Sequence, residues 1–254
     1  MKQVFYAKQL NVGDVVELDE KTAHHLFDVT RTTSKETIRI VDCDHQLFYG
    51  HVQTKPWIEI VEKLDNQNQG KLDITLCAAL IKADKWEWML QKATELGVSR
   101  IVPFTSKNTM IQIEPKKAGR KLERWQAICQ GACQQSNRTD LVQIEPICTI
   151  QELDRYKSQM NVCAWEKEAL EDHICCTLNQ IDQSVTFVIG PEGGITAQEA
   201  MALEEKGFVL CSLGENILRA ETAACYVCAT AQYAYSANLA KKLVDKEIET
   251  KEIQ

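Results

Sequence analysis

The first quarter of the chain alternates short apolar runs with turn residues, a pattern that predicts β-strands. A helical segment at residues 20–30 interrupts these runs, and the polar, aperiodic residues 65–70 indicate a linker. Short strands with a single helix favour a small β-barrel over residues 1–66. The predicted strands cover residues 4–6, 14–18, 37–41, 46–52 and 57–64.

From Leu72 onward the pattern changes to alternating strands and helices, which is typical of an α/β domain with a mostly parallel sheet. One helix face is formed by Trp86, Met89, Leu90 and Ala93, which recur at helical spacing. We predict that this domain covers residues 72–242 and that the charged tail, residues 243–254, is flexible. The predicted strands cover 73–81, 100–104, 141–147, 161–165, 185–189 and 208–213, and the two long helices cover 115–135 and 221–242.

The stretch that begins at residue 185 carries the clearest signs of a ligand site. Its apolar run predicts a strand buried on both faces, and ligands of open α/β sheets bind where such strands end. Residues 190–194 follow with the sequence GPEGG, whose glycines allow positive φ and close approach to a ligand. Thr196 and Glu199 then have the spacing of a capping box. We call residues 190–194 the glycine loop and predict that it contacts a ligand.

Phosphate is the first ligand that a glycine-rich loop before a helix suggests. The glycine loop, however, lacks both the GxGxxG pattern and a GKS or GKT ending, and Glu192 would place a carboxylate beside the phosphates. A polyphosphate ligand is therefore disfavoured. For this loop taken alone, a tight strand-to-helix turn that needs glycine for its φ angles is the better explanation.

A second loop, residues 213–219, strengthens the ligand interpretation. It begins where a predicted strand ends, and Arg219 and Glu221 stand at the start of the long helix that follows. Glu221 suits the positive end of the helix dipole, whereas a cation such as Arg219 is unfavourable there. We therefore expect Arg219 to have a functional or ion-pairing role.

Composition and charge restrict the class of protein. The 254 residues are 44% hydrophobic and 26% charged, as in an ordinary soluble protein. A net charge of −7 argues against nonspecific coating of nucleic acid but allows a local basic patch. Because the sequence has neither a membrane-length apolar run nor a signal-peptide pattern, we expect a cytoplasmic protein without membrane contact.

The 11 cysteines show no regular disulfide spacing, and several lie in apolar runs, which predicts reduced core residues. Cys225 and Cys228 form a CxxC pattern, but no second Cys or His pair stands beside it. A buried helix face explains this pattern better than zinc or redox chemistry does. We predict no metal site.

Both loops carry a family resemblance. IGPEGGIT at residues 189–196, with LGENILRAETAA at 213–224, is similar to the signature of the SPOUT methyltransferases, specifically the RsmE-type family that methylates N3 of a uridine in 16S ribosomal RNA. The agreement covers nearly the whole chain. One departure is Asn216, where the family usually has a basic residue. The other matching segments are KATELGV at 92–98, KLERW at 121–125, QQSNR at 134–138, HL at 25–26 and VTR at 29–31.

The resemblance implies an architecture and a set of partners. The α/β domain would be tied in a deep trefoil knot, and the N-terminal barrel would be a PUA-like RNA-binding domain. The implied partners are ribosomal RNA, in the small ribosomal subunit, and a second copy of the chain in a homodimer. The small residues along helix 221–242 fit a close contact between subunits.

The resemblance also implies S-adenosylmethionine as the cofactor, S-adenosylhomocysteine as its product, and no metal. In such folds the glycine loop and the second loop lie side by side around the cofactor. A cationic sulfonium also tolerates nearby carboxylates. The residues expected to bind the cofactor are Glu166, Ile189, Gly190, Pro191, Glu192, Gly193, Gly194, Leu213, Gly214, Ile217, Leu218 and Arg219.

Methyl transfer to N3 requires alignment of the reacting atoms and removal of the N3 proton. Arg219 and Arg138 are the candidate cations for charge that develops on the uridine carbonyl oxygens, and Glu221 is a weaker candidate base because capping and pairing also explain it. The residues expected to contact RNA are His24, His25, Arg31, Lys121, Arg124 and Arg138.

Each of these assignments has an alternative. Packing or hydrogen bonding explains either histidine as well as RNA contact does, and a solvated charged face explains Lys121 and Arg124 better. For the whole protein, the rival is a catalytically silent RNA-binding or ribosome-assembly protein on the same fold. A nucleotide hydrolase is disfavoured because the phosphate-binding lysine and the metal carboxylates are missing.

Overall fold

The computed structural model describes residues 2–34, 36–65, 70–166 and 173–252, with side chains as far as residue 242. The chain forms two compact units. The first unit comprises Met1–Gln69 with Gln130–Leu141, and the second comprises Gly70–Cys129 with Val142–Gln254. Most of the predicted linker, residues 66–69, lies outside the described residues.

The first unit contains the five predicted strands and the predicted helical segment, which starts as an α-helix and continues as a π-helix at His24–Val29. The elements are β1 (Gln3–Phe5), β2 (Val15–Glu17), α1 (Glu20–Ala23), β3 (Thr37–Val41), β4 (Leu47–Val52) and β5 (Trp57–Leu64). They form a sheet of order β1-β3-β4-β5-β2, in which β1 and β3 are parallel and the other neighbours antiparallel. The inward side chains, such as Ile38, Ile40 and Ile58, are fully buried.

Residues 130–141 belong to the first unit, although the sequence pattern assigns them to the α/β domain. The physical reason is that side chains from two strands and one turn of the first unit bind the backbone carbonyl groups of this segment. Such contacts join residues far apart in sequence, so no local pattern reveals them. Gln3 Nε2 donates to Arg138 O (2.5 Å), Arg39 Nη2 donates to Asn137 O (3.4 Å), and His45 Nδ1 lies 3.0 Å from Thr139 O.

The second unit is an α/β unit with a parallel sheet, as predicted. Its elements are β6 (Asp73–Ala79), α2 (Ala83–Glu95), β7 (Val98–Thr105), α3 (Pro115–Gln135), β8 (Gln143–Ile144), β9 (Cys148–Thr149), a 3-10 helix (Ile150–Tyr156), β10 (Met160–Ala164), α4 (Ile174–Leu178), β11 (Ser184–Ile189), α5 (Ala197–Glu205), β12 (Val209–Cys211) and α6 (Ala220–Glu252). The strand order is β12-β10-β11-β6-β7-β8, with β9 also on β7, and every paired neighbour is parallel.

The single strand predicted at residues 141–147 is wrong, because the structure has the two short strands β8 and β9 there. Pro146 lies between them and has no N–H group to donate to a sheet. Glu145 N–H makes the last hydrogen bond before the interruption, to Ile101 O at 2.9 Å. A proline inside an apolar run therefore divides one predicted strand into two.

Helix α6 starts where predicted but continues to Glu252, so the predicted boundary at residue 242 falls inside it. The flexibility of the charged tail stays a prediction, since side chains beyond residue 242 and all of residues 253–254 lie outside the described part. Across the described residues, no helix combines the length and the hydropathy needed to span a bilayer.

Strand order brings the two predicted loops together. The carboxyl ends of parallel strands meet at one edge of a sheet, and β10 lies between β11 and β12. The glycine loop follows β11, the second loop follows β12, and residues 165–166 follow β10. Three adjacent strands therefore deliver three loops to the same place.

Candidate functional site

A cleft of about 450 Å³ lies at this edge of the sheet. Its volume falls within the range of roughly 300–1,000 Å³ that is typical of small-molecule sites. The 12 residues predicted to bind a cofactor all line the cleft, so the two loops lie around one cavity. The remaining lining residues are Ala164, Trp165, Ile195, Ser212, Glu215, Asn216, Ala220 and Ala223.

The glycine loop needs its glycines because other atoms approach very closely. A Cβ on Gly190 would lie 2.8 Å from Ile195 Cγ1, and one on Gly194 would lie 2.7 Å from Glu166 Oε1. Gly194 also has a φ of +69°, a conformation that side chains disfavour, and its N–H donates to Pro191 O at 2.9 Å. The loop is therefore a compact turn with one face against Glu166.

Two residues that the sequence did not single out hold this loop from outside. Asn108, after β7, donates from Nδ2 to Gly193 O (2.8 Å) and to Gly194 O (3.2 Å). Trp165, after β10, donates from Nε1 to Ile195 O at 3.0 Å. The usable signal was their place at the carboxyl ends of strands of the same sheet, but that signal requires the strand order.

The capping box behind the glycine loop is confirmed. Thr196 N–H and its hydroxyl donate to Glu199 Oε2 at 3.0 and 2.7 Å, and Glu199 N–H returns a bond to the Thr196 hydroxyl. Lys107 N–H donates to the other carboxylate oxygen at 2.8 Å. Partial burial raises the pKa of Glu199, but these hydrogen bonds outweigh burial and leave its pKa below the ordinary value. The carboxylate thus fixes the start of α5.

The second loop turns sharply at Gly214, whose φ is +120°. Gly214 N–H donates to the Ser212 hydroxyl at 3.2 Å, and a bridge between Ser212 and His173 ties the loop to the start of α4. Beyond the turn, Ile217 is 85% exposed and Arg219 is exposed, immediately before α6 begins. This loop therefore offers an apolar and a cationic side chain to a ligand.

The charge of the cleft disfavours phosphate. Among its described lining residues, three carboxylates (Glu166, Glu192 and Glu215) stand against one guanidinium, that of Arg219. An excess of negative charge favours a cationic ligand by Coulomb attraction. In the described part of the chain, no group of three or more His, Cys, Asp or Glu side chains is arranged to hold a metal ion.

The three predicted catalytic residues have different surroundings. Arg219 lines the cleft, whereas Glu221 is not among the described lining residues. Glu221 Oε1 lies 3.4 Å from Lys85 Nζ, and its Oε2 is buried without a hydrogen-bond partner in the described structure. Arg138 belongs to the first unit, where its guanidinium pairs with Asp140.

The residues predicted to contact RNA are distributed over both units, and three of them, His24, Arg124 and Arg138, have acidic partners. His24 Nδ1 lies 2.8 Å from Asp28, whose pKa is lowered by hydrogen bonds from Lys55 and then from His24. Arg124 pairs with Glu87 at 2.7 Å, which raises the arginine pKa. Of the others, Lys121 is half-buried, and His25 and Arg31 are exposed.

The family model described as an RNA methyltransferase domain matches residues 68–232, the part of the chain that carries the parallel sheet and its glycine-lined, acidic cleft. Ribosomal RNA small subunit methyltransferase E of Bacillus subtilis is 27% identical over 239 residues, which are 89% of this chain and 93% of the relative. The enzyme of the same name from Mesomycoplasma hyopneumoniae is 35% identical over 172 residues, which are 66% and 73% of the two chains.

A solved structure agrees with these relatives. Ribosomal RNA small subunit methyltransferase E of Neisseria gonorrhoeae, bound to S-adenosyl methionine, has a TM-score of 0.82 and 28% identity, over 92% of this chain and 98% of that one. The chain belongs to the RNA methyltransferase family that contains ribosomal RNA small subunit methyltransferase E. The resemblance drawn from the two loop motifs is thereby confirmed.

Proposed function

We propose that this protein uses S-adenosylmethionine to methylate N3 of a uridine in 16S ribosomal RNA. The observation that carries the proposal is the meeting of both loop motifs in one acidic cleft of ligand size. The names of the relatives support the ribosomal substrate, and the neighbour that binds S-adenosyl methionine supports the cofactor. S-adenosylhomocysteine is then the second product.

The lining residues fit this cofactor. Carboxylates of Glu166, Glu192 and Glu215 suit a ligand that carries a sulfonium and an ammonium group, and the apolar Leu213 and Leu218 suit its adenine. Glycines at four lining positions let backbone groups approach the ligand. When bound, the cofactor supplies a methyl group that is already activated, so the chemistry requires no metal.

The protein's own contribution is then to hold the uridine and to manage the charge at N3. Loss of the N3 proton places negative charge on the neighbouring carbonyl oxygens, and a guanidinium in a preorganised position stabilises that charge. Arg219 is the first candidate, because it lines the cleft. Arg138 is the second, because the resemblance includes its motif, and its pairing with Asp140 would hold it in a fixed orientation.

Glu221 remains the proposed base, but it is a weaker catalytic candidate than Arg219. Its support is the buried Oε2 atom without a hydrogen-bond partner, which is an unused acceptor. Its weakness is the pairing of Oε1 with Lys85, which explains the residue without catalysis. Arg219 therefore bears most of the catalytic assignment.

We also propose the finer architecture that the family resemblance implies. The second unit would form a deep trefoil knot around the cleft, and the first would be a PUA-like barrel that grips RNA through His24, His25 and Arg31. Lys121 and Arg124 would add contacts from α3. The five-stranded sheet of the first unit supports such a barrel. Work on ribosomal RNA implies a cytoplasmic protein that contacts the small ribosomal subunit.

A homodimer is part of the same proposal. The small and apolar residues of α6 that the sequence suggests for this contact are mostly buried within the single chain, namely Ala223, Ala224, Val227, Cys228 and Ala231. The contact proposed instead is an exposed stripe of α6 with Ala229, Tyr233, Ala237 and Ala240, of which Tyr233 is 77% exposed. Small residues beside an aromatic ring suit close helix contact with a second copy. Light scattering at micromolar concentration should give twice the mass of the chain, and a monomer would contradict the proposal.

The central experiment measures cofactor binding and turnover separately. Calorimetric titration with S-adenosylmethionine should show one site per chain, and methylation of 16S ribosomal RNA or small subunits should yield N3-methyluridine in nuclease digests. A catalytically silent assembly protein would bind RNA without forming that product. Absence of cofactor binding by the intact protein would overturn the proposal.

Arginine variants test the catalytic assignment. Arg219→Ala should lower kcat by about 10²- to 10³-fold, as removal of a charge-stabilising donor does. The matched control is Arg155→Ala, since Arg155 is an exposed arginine of the second unit that pairs with Glu152 at 3.0 Å and does not line the cleft. Wild-type turnover in both Arg219→Ala and Arg138→Ala would show that neither arginine is the catalytic cation.

A further inference from the structure

The turn after β7, residues 106–109, is built independently of the cleft that it touches. Thr109 N–H donates to Ser106 O at 3.1 Å, and Ser106 N–H donates to the Thr109 hydroxyl at 2.9 Å. These two bonds close the turn on itself before any contact with the glycine loop is made. Asn108 therefore projects from a preorganised base.

The Asn108 amide spans two successive carbonyl groups of the glycine loop. Nδ2 has two N–H groups, and it lies 2.8 Å from Gly193 O and 3.2 Å from Gly194 O. The Asn108 side chain also lies close to Gly193, since a Cβ on Gly193 would lie 2.9 Å from Asn108 Cβ. On the Glu166 side, a Cβ on Gly194 would lie 2.7 Å from Oε1. The loop is therefore held between Asn108 and Glu166.

Fixing a carbonyl group also fixes the peptide plane to which it belongs. Binding Gly193 O and Gly194 O thus sets the direction of the next two N–H groups, those of Gly194 and Ile195. The same turn holds the helix behind the loop, because Lys107 N–H donates to Glu199 Oε1. Loop and helix start are consequently fixed as one piece, by a segment distant from both in sequence.

We infer that Asn108 is a positioning residue for the cofactor: its amide holds the glycine loop in the conformation that receives S-adenosylmethionine. The inference rests on the proposed function, because it takes this cleft as the cofactor site. Preorganisation lowers the ordering cost that binding would otherwise carry. Asn108 should therefore act on cofactor affinity and not on the chemical step.

Asn108→Asp tests this with almost no change in shape. The aspartate keeps the contact with Gly193 but presents oxygen to two carbonyl oxygens, so both hydrogen bonds are lost. We expect Kd and KM for S-adenosylmethionine to rise about tenfold, as the loss of two such bonds implies, while kcat at saturating cofactor stays within about twofold of wild type. Asn108→Gln, which keeps the amide, should recover part of the affinity.

Lys107→Ala is the matched control within the same turn. Lys107 contacts Glu199 through its backbone N–H, which alanine retains, and its side chain is exposed. Cofactor affinity should be that of the wild type. Amide hydrogen exchange at residues 193–195 without cofactor should be faster in Asn108→Asp than in Lys107→Ala, which reports on the clamp without any activity measurement.

The outcomes separate the two proposals. If the wild-type protein does not bind S-adenosylmethionine, the proposed function fails, and the inference about cofactor affinity fails with it. If the wild type binds and Asn108→Asp binds equally well, the inference alone is overturned. A lower kcat at saturating cofactor, with unchanged KM, would also overturn it, because Asn108 would then act on the reaction.

Discussion

Two glycines with similar positive φ angles provide a sharp test of the cleft. Gly194 (φ +69°) lies in the glycine loop, and Gly207 (φ +85°) lies between α5 and β12, outside the lining of the cleft. A Cβ on each would meet the end of a flexible charged side chain, Glu166 Oε1 at 2.7 Å and Lys157 Nζ at 3.1 Å. Alanine at either position thus carries a similar backbone penalty, about 1–2 kcal/mol.

The penalty should appear in different measurements. At Gly207, alanine should lower the free energy of unfolding by this amount, which shifts Tm by about 2–4 °C per kcal/mol in a chain of this size. At Gly194, which is half-buried, a Cβ 2.7 Å from Glu166 Oε1 forces the loop out of the conformation that Asn108 holds, so part of the penalty disappears from the free protein. Binding then requires the strained conformation again, and Kd for S-adenosylmethionine should rise by roughly 5- to 30-fold.

Thermal unfolding and calorimetric titration of both variants decide the matter. Gly194→Ala should lose more cofactor affinity and less Tm than Gly207→Ala, whose affinity should equal that of the wild type. The reasoning is refuted if Gly194→Ala binds the cofactor as tightly as the wild type. It is equally refuted if Gly207→Ala weakens cofactor binding as much as Gly194→Ala does. Cofactor affinity would then not depend on Gly194 in particular.

Three further predictions concern charge and burial. Since the pKa of Glu199 is depressed, its contribution to stability is present above the ordinary pKa near 4.5 and is lost as pH falls through the folded pKa. Glu199→Gln should therefore flatten the curve of unfolding free energy against pH in that range. Lys85→Met should lower the free energy of unfolding by about 1–2 kcal/mol, because it leaves the Glu221 carboxylate without its cation. Adding Glu221→Gln to Lys85→Met removes that unpaired charge and should restore part of the lost stability, as measured by urea unfolding. Iodoacetamide at pH 8 should label exposed Cys175 and spare Cys163, whose thiol pKa is raised by burial, as read by peptide mass.

Most of the fold was predictable because its signals are local. Continuous apolar runs such as residues 185–189 occur in strands buried on both faces, and the helical spacing from Trp86 to Ala93 occurs on one face of α2. What failed were features set by single backbone groups or by distant partners. Pro146 divides one predicted strand into two. The carbonyl groups of residues 137–139 accept hydrogen bonds from the first unit, so their segment belongs to that unit.

The candidate site shows the same division. Glycine content, a buried strand and a capping box marked the loops, because each is a property of neighbouring residues. Asn108 was missed because its partners are 85 and 86 residues away and its own neighbours carry no motif. Arg219 and Glu221 stand two residues apart, yet only the arginine is among the described residues that line the cleft. Arg219 precedes α6, whereas Glu221 lies in its first turn beside Lys85, and the sequence alone does not show that the two side chains have different surroundings.

The charge of this chain constrains how it recognises RNA. With a net charge of −7 the chain as a whole does not attract phosphates, and Arg124, one of the residues predicted to contact RNA, is already paired to Glu87. The logarithm of the affinity for single-stranded RNA falls with log salt by a slope of about −0.7 per phosphate contacted, so we expect a total slope no steeper than about −3.

Single variants divide this slope among residues. Arg31 is exposed, and Arg31→Ala should reduce the slope by about one phosphate contact. Arg124→Ala should reduce it by less, because Glu87 competes with phosphate for the Arg124 guanidinium. Fluorescence titrations of a ribosomal fragment at several KCl concentrations measure both, and a slope of about −6 would mean that many phosphate contacts, rather than shape and splayed bases, select the substrate.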